Sequence, residues 1–160
     1  MAIRKETVRQ QFMEALPSVL EPGEQLVAGA YCVSGPSPLW IAGLLGIIGM
    51  LLFGVQYYFL AITDRRAIAM KASFWTARPA GPGFADPKDA VVISDIVTDA
   101  KLWSHLLYAR PGQKPLRLNF HTWWREEMKQ VVAALGGADV QPPPPPAPPS
   151  PPPPPPPPAP

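Results

Sequence analysis

The sequence predicts an α+β domain in which short strands form an antiparallel meander and one C-terminal helix closes it. Three observations predict that class. β-favouring runs bounded by turn residues recur from Leu26 to Phe120. A single apolar stripe at helical spacing follows them. A hydrophobic content of 47% over 160 residues is ample for one core. The organisation read from the chain is an amphipathic helix over 1–20, a domain over 21–137 carrying an apolar insert at 39–55, and a proline-rich tail over 138–160.

Each element has its own signal. Val8, Phe12 and Leu16 recur every four residues between Arg9, Gln10 and Glu14, so 6–20 reads as an amphipathic helix that Glu21-Pro22-Gly23 ends. LVAGAYCV (26–33), bounded by Ser34-Gly35-Pro36, reads as a strand. Ser37-Pro38 is a helix start, because serine caps free N–H groups and proline at the first helical position loses no bond. YYFLAIT (57–63) and RAIAMKA (66–72) form a hairpin about Asp64-Arg65. In that register Phe59, Leu60 and Ile62 face a strand holding Ala67, Ala69 and Met70, so large side chains meet small ones. PAGPGFADP (79–87) reads as a loop from its Pro and Gly content. Strands are predicted at 90–93, 103–109 and 115–120. Thr122 then caps a helix whose stripe is Trp124, Met128, Val131, Val132 and Leu135, stopped by Gly136-Gly137.

The run from Leu39 to Ile62 holds 24 residues without a charge, enough at about 1.5 Å each to cross a hydrocarbon core of about 30 Å. If 57–63 is a strand, only 39–55 remains for a helix. Three placements follow. The run can lie in or dip into a membrane interface, with Leu39, Trp40, Leu44, Leu45, Ile47, Ile48, Leu51, Leu52 and Phe53 in lipid and Arg65, Arg66 and Lys71 on anionic headgroups. It can span once, with 1–38 outside the sheet. It can pack against protein, where Gly43, Gly46 and Gly49 let helices approach closely and oligomerise.

Little else in the chain points to chemistry. A net charge of +2 without a basic cluster argues against nucleic acid. One cysteine, Cys32, forms no internal disulfide and reads as a small buried hydrophobe. His105 and His121 lie sixteen residues apart without a metal-ligand pattern, and Asp86, Asp89, Asp95 and Asp99 read as turn residues or caps. No cofactor and no catalytic residue is expected. From Pro142 to Pro160 every residue is Pro, Ala or Ser, with prolines unbroken from Pro151 to Pro158. Such a tract predicts a disordered tail of polyproline II character, either a spacer or a ligand for an aromatic-lined groove of a protein partner.

The phrases EPGEQLVAG (21–29), YYFLAITDRRAIAM (57–70), VVISDI (91–96) and PLRLNF (115–120), closed by the helix from Trp124 to Leu135, resemble the bacterial pleckstrin-homology-like domains, whose strand pair often carries an aliphatic-Thr-Asp-Arg-Arg turn. The resemblance covers about 20–136. It implies a half-open antiparallel β-barrel with a C-terminal capping helix, and a membrane-associated or protein-binding module, not an enzyme. Ala67 stands where a larger aliphatic residue is usual. The apolar run occupies the loop that carries basic phosphoinositide-binding residues in eukaryotic relatives, and it has none. The functional expectation is a non-enzymatic module at the cytoplasmic face of the plasma membrane that presents its proline tail to partners.

Overall fold

The computed structural model describes residues 5–36, 54–73 and 75–136. Of the apolar helix expected over 39–55, residues 39–53 with Gly43, Gly46 and Gly49 lie outside them, as does the tail with Pro151 and Pro158; Gly54 and Val55 are described and are not helical. Within them, helix α1 (Lys5–Ala15) precedes seven strands: β1 (Leu26–Ser34), β2 (Gln56–Thr63), β3 (Arg66–Ala72), β4 (Pro79–Pro87), β5 (Val92–Val97), β6 (Trp103–Ala109) and β7 (Leu116–His121). Helix α2 (Arg125–Ala134) closes the order. The strands make one antiparallel sheet in the order β4-β3-β2-β1-β7-β6-β5, open at both edges. The sheet is nevertheless strongly bent. Tyr108 of β6 donates a hydrogen bond to Asp86 of edge strand β4 at 3.2 Å, and its ring lies 5.6 Å from that of Phe84.

The β2–β3 hairpin has the predicted register, with Phe59 opposite Met70, Leu60 opposite Ala69 and Ile62 opposite Ala67. All six side chains are buried. Successive residues of a strand point to opposite faces, and both faces of β2 are covered from Tyr58 to Thr63, whereas β1 alternates buried and half-buried residues from Ala28 to Cys32. Helix α1, which ends at Ala15 and not at 20 as expected, lays Val8 and Phe12 into the same core, and Leu16 follows from the 3-10 turn Leu16–Ser18; Phe12 is stacked 4.3 Å from Phe59. Gly29 permits that stack, since a Cβ there would come within 2.9 Å of the Phe59 ring. Helix α2 buries Met128, Val131 and Val132 of the predicted stripe; Trp124 is buried from the 3-10 turn before it, and Leu135, past its end, is partly buried. Gly136 leaves it with φ +80°, the left-handed stop that glycine provides.

Three expectations need correction. Residues 79–87 are strand β4, not a loop. Three prolines fit because β4 is an edge strand with bulges in its pairing, and an edge tolerates missing N–H donors. Gly83 is needed there, as a Cβ would lie 2.3 Å from the Ala69 carbonyl oxygen. The strand predicted at 90–93 is instead Val92–Val97; Lys88–Ala90 form a 3-10 turn, and Asp95, with φ +48°, bulges the strand. The residue capping the C-terminal helical segment is His121, whose Nδ1 accepts from the Trp123 N–H at 3.3 Å; Thr122 begins a 3-10 turn, Thr122–Trp124, that leads into α2.

Candidate functional site

At one end of the sheet the aromatic side chains form a cleft of about 190 Å³. Tyr31 and Val33 of β1 and Tyr57 of β2 make its floor. Lys5 and Val8 bound it on the α1 side, Ala77 on the β3–β4 turn, and Trp103, His121, Trp123 and Trp124 on the far wall. The arrangement follows from local structure. Residues 31, 33 and 57 share a face because β1 and β2 pair with Tyr31 opposite Phe59 and Val33 opposite Tyr57. The 3-10 turn after β7 swings Trp124 inward, where it is buried, and leaves Trp123 61% exposed. Leu102 (41% exposed) immediately precedes Trp103, and Trp75 (78%) lies in the same β3–β4 turn as Ala77. The cleft floor also lies one residue pair from Ser34–Gln56, the last pair before the chain leaves the sheet for the apolar run.

The cleft is poor in reactive groups. Burial raises the hydroxyl pKa of Tyr31 and Tyr57 and lowers that of His121, so all three stay neutral near pH 7. His121 accepts at Nδ1, which puts its proton on Nε2. Its ring packs edge-on between Trp103 (5.1 Å) and Trp123 (4.9 Å). The lone charge in the lining, Lys5, pairs with Glu127 at 2.6 Å and sits 5.2 Å over the Trp124 ring. Such a surface offers flat apolar rings and hydrogen-bond donors.

Of the candidate reactive residues singled out from sequence, His121 lines the cleft and the others do not. His105 pairs with Asp95 at 3.3 Å and shares a sheet face with Trp103 and, one diagonal step away, His121, but among the described residues no three metal-binding side chains come together. Cys32 is buried in the core, and burial pushes its thiol pKa up, so it is an inert hydrophobe. Asp86 receives the Tyr108 hydroxyl, Asp95 holds the β5 bulge, and Asp89 and Asp99 are exposed near Lys88 and Lys129 respectively.

Arg66 has a different role from headgroup binding. Its Nε and Nη2 donate to Glu24 Oε1 (2.9 Å) and Oε2 (2.8 Å), Nη2 also donates to the Val19 carbonyl, and Nη1 lies 3.1 Å from Glu21. Thr63 donates to Glu24 Oε1 at 2.7 Å, and Asp64 accepts from the Gln25 N–H at 2.9 Å. The Thr-Asp-Arg-Arg turn and the Glu-Pro-Gly-Glu turn are therefore one buried polar lock. Arg65 is exposed beside Asp64, but it stands at the far end of β2 from the apolar run, seven strand steps or about 24 Å away. Neither arginine can sit at the surface where that run emerges. Lys71, exposed and paired with Tyr58, is at the right end, and so is exposed Arg78.

Sequence reasoning missed Tyr31, Tyr57, Trp75, Trp103 and Trp123 as a group. The available signal was five tryptophans, two of them adjacent at 123–124. No protein-family model matches the chain, and no curated protein matches its sequence.

Proposed function

We propose that the protein is a non-enzymatic, pleckstrin-homology-like module that attaches to the cytoplasmic face of the plasma membrane through its aromatic end. The architectural reading is supported by seven bent antiparallel strands and a closing helix. The membrane reading rests on one observation. The apolar connection leaves β1 at Ser34 and re-enters β2 at Gln56, which is Ser34's pairing partner, beside the exposed Trp75, Leu102 and Trp123. A connection whose two ends are neighbours returns to the side it left, so it lies in or dips into one leaflet. A single crossing would need 1–38 outside the sheet, whereas β1 pairs with β2 from Leu26 to Ser34. No helix among the described residues is long and apolar enough to cross a membrane. Tryptophan suits the interface because its ring is apolar and its N–H stays wet. In this orientation Lys71 and Arg78 face anionic headgroups and Arg65 faces away.

Vesicle co-sedimentation of the full chain tests the orientation. Lys71→Glu with Arg78→Glu should weaken partitioning to anionic vesicles by about 30-fold or more, from about 1 kcal/mol per charge. Arg65→Glu should leave it unchanged. Release by Arg65→Glu but not by the double variant, or a wild-type chain that ignores every vesicle, refutes the proposal.

A further inference from the structure

The aromatic cleft is smaller than the roughly 300 Å³ at which enclosing small-molecule sites begin, so it suits a ligand that lies across it. Its walls offer flat rings and donor groups: the indole N–H of Trp103 and Trp123 can only donate, and the Tyr31 hydroxyl can do so. A polyproline segment is the complement of such a surface. Each proline presents a rigid apolar ring and a carbonyl acceptor, has no N–H, and loses little entropy on docking. The same chain carries one, from Pro142 to Pro160. We propose that residues 142–160 dock in cis across the cleft formed by Tyr31, Tyr57, Trp103, Trp123 and Trp124.

The geometry permits it. The cleft is at the start of α2 and the chain leaves at its end, about 15 Å away for ten residues. Gly136, at φ +80°, turns the chain off the helix axis. Five residues, 137–141, span up to about 17 Å when extended, so Pro142 can draw level with Trp124. The following nineteen residues reach about 59 Å as a polyproline II rod, far more than the cleft needs. Charge does not oppose the contact, because the segment has none. A short tether supplies a millimolar effective concentration, so a groove of only millimolar affinity is about half occupied. The inference stands on cleft and tail alone and does not depend on the membrane reading.

The test uses the full chain labelled with 5-fluorotryptophan and carrying a nitroxide on Ser150→Cys; Cys32, 1% exposed, stays unlabelled under native conditions. Fluorine spectra with the nitroxide oxidised and reduced should show the Trp103 and Trp123 signals attenuated by about half or more. Replacing every proline of 142–160 by alternating Gly and Ser, at constant length, should abolish most of that attenuation, and tenfold dilution should not. Full signal in the oxidised state overturns the proposal. So does attenuation that survives the Gly/Ser exchange, which reports only tethering, or attenuation lost on dilution, which reports docking between copies.

Discussion

Replacing Glu24 by Gln keeps the side-chain shape and removes the charge at the centre of the buried lock. The carboxylate is fully covered, and its two oxygens take Arg66 Nε and Nη2, the Thr63 hydroxyl and the Glu21 N–H. An amide has one acceptor oxygen, so its NH2 must face a donor. Removing one member of a buried pair costs about 3–5 kcal/mol, and the lower end applies because the Arg66 side chain is 23% exposed and keeps Glu21. Protonation gives a second measure. The Arg66 hydrogen bonds, outweighing the desolvation that opposes them, hold the Glu24 carboxyl down from 4.5 to about 2. At about 1.4 kcal/mol per pH unit this amounts to about 3 kcal/mol. A depressed carboxyl stabilises the fold above its unfolded value and loses that contribution as pH falls toward its folded one. The gap between wild type and Glu24→Gln should therefore be about 3 kcal/mol at pH 7, near 10 °C in Tm, and should narrow between pH 4.5 and about 2. Urea unfolding at pH 7, 4 and 3 measures it. A gap below about 1 kcal/mol at pH 7 would show that the lock is not the stabilising unit argued here.

Three further outcomes follow. Gly83→Ala should destabilise by about 1–3 kcal/mol, because the Cβ meets the Ala69 carbonyl at 2.3 Å, with amide exchange rising first along β4; unchanged stability would mean that the strand does not hold that close approach. Single cysteines at the exposed Ser18 and Ser94 should both resist an impermeant thiol reagent in intact cells, and labelling of position 18 alone would mean a true span. Deleting 141–160 should lower Tm by no more than about two degrees, since a half-occupied docking site stabilises by about 0.4 kcal/mol, and a loss above about five degrees would contradict a weakly docked tail.

The parts legible in the sequence are those that local periodicity fixes. The alternation of large and small side chains across the β2–β3 hairpin set its register, and the α2 stripe named the residues that reach the core. Strand β4 was illegible because proline and glycine report a loop unless the run is known to be an edge, and edge status is a property of the whole sheet. The helix start misled for a similar reason: Thr122 is a good cap by type, but the bend after β7 presents the His121 ring to the Trp123 N–H instead.

Arg66 and the cleft failed to show for opposite reasons. A basic pair after an apolar run reads as surface charge, yet Glu24, 42 residues earlier, and the Val19 carbonyl, 47 residues earlier, claim one arginine, and strand length carries the other to the wrong end of the domain. The cleft gathers side chains from β1, β2, β6 and the turn after β7, and no window of sequence contains them all. What brings them together is the pairing of Ser34 with Gln56 and the bend that follows β7. That pairing also fixes where the apolar run leaves and returns. The points where the apolar run leaves and re-enters the sheet thus lie at the same end as the aromatic cleft, while the buried Glu24–Arg66 ion pair lies at the other. In the proposed orientation, separating them along β2 would let a polar lock stabilise the fold without facing lipid, and would make the effects of Arg65 and Lys71 substitutions on vesicle binding separable.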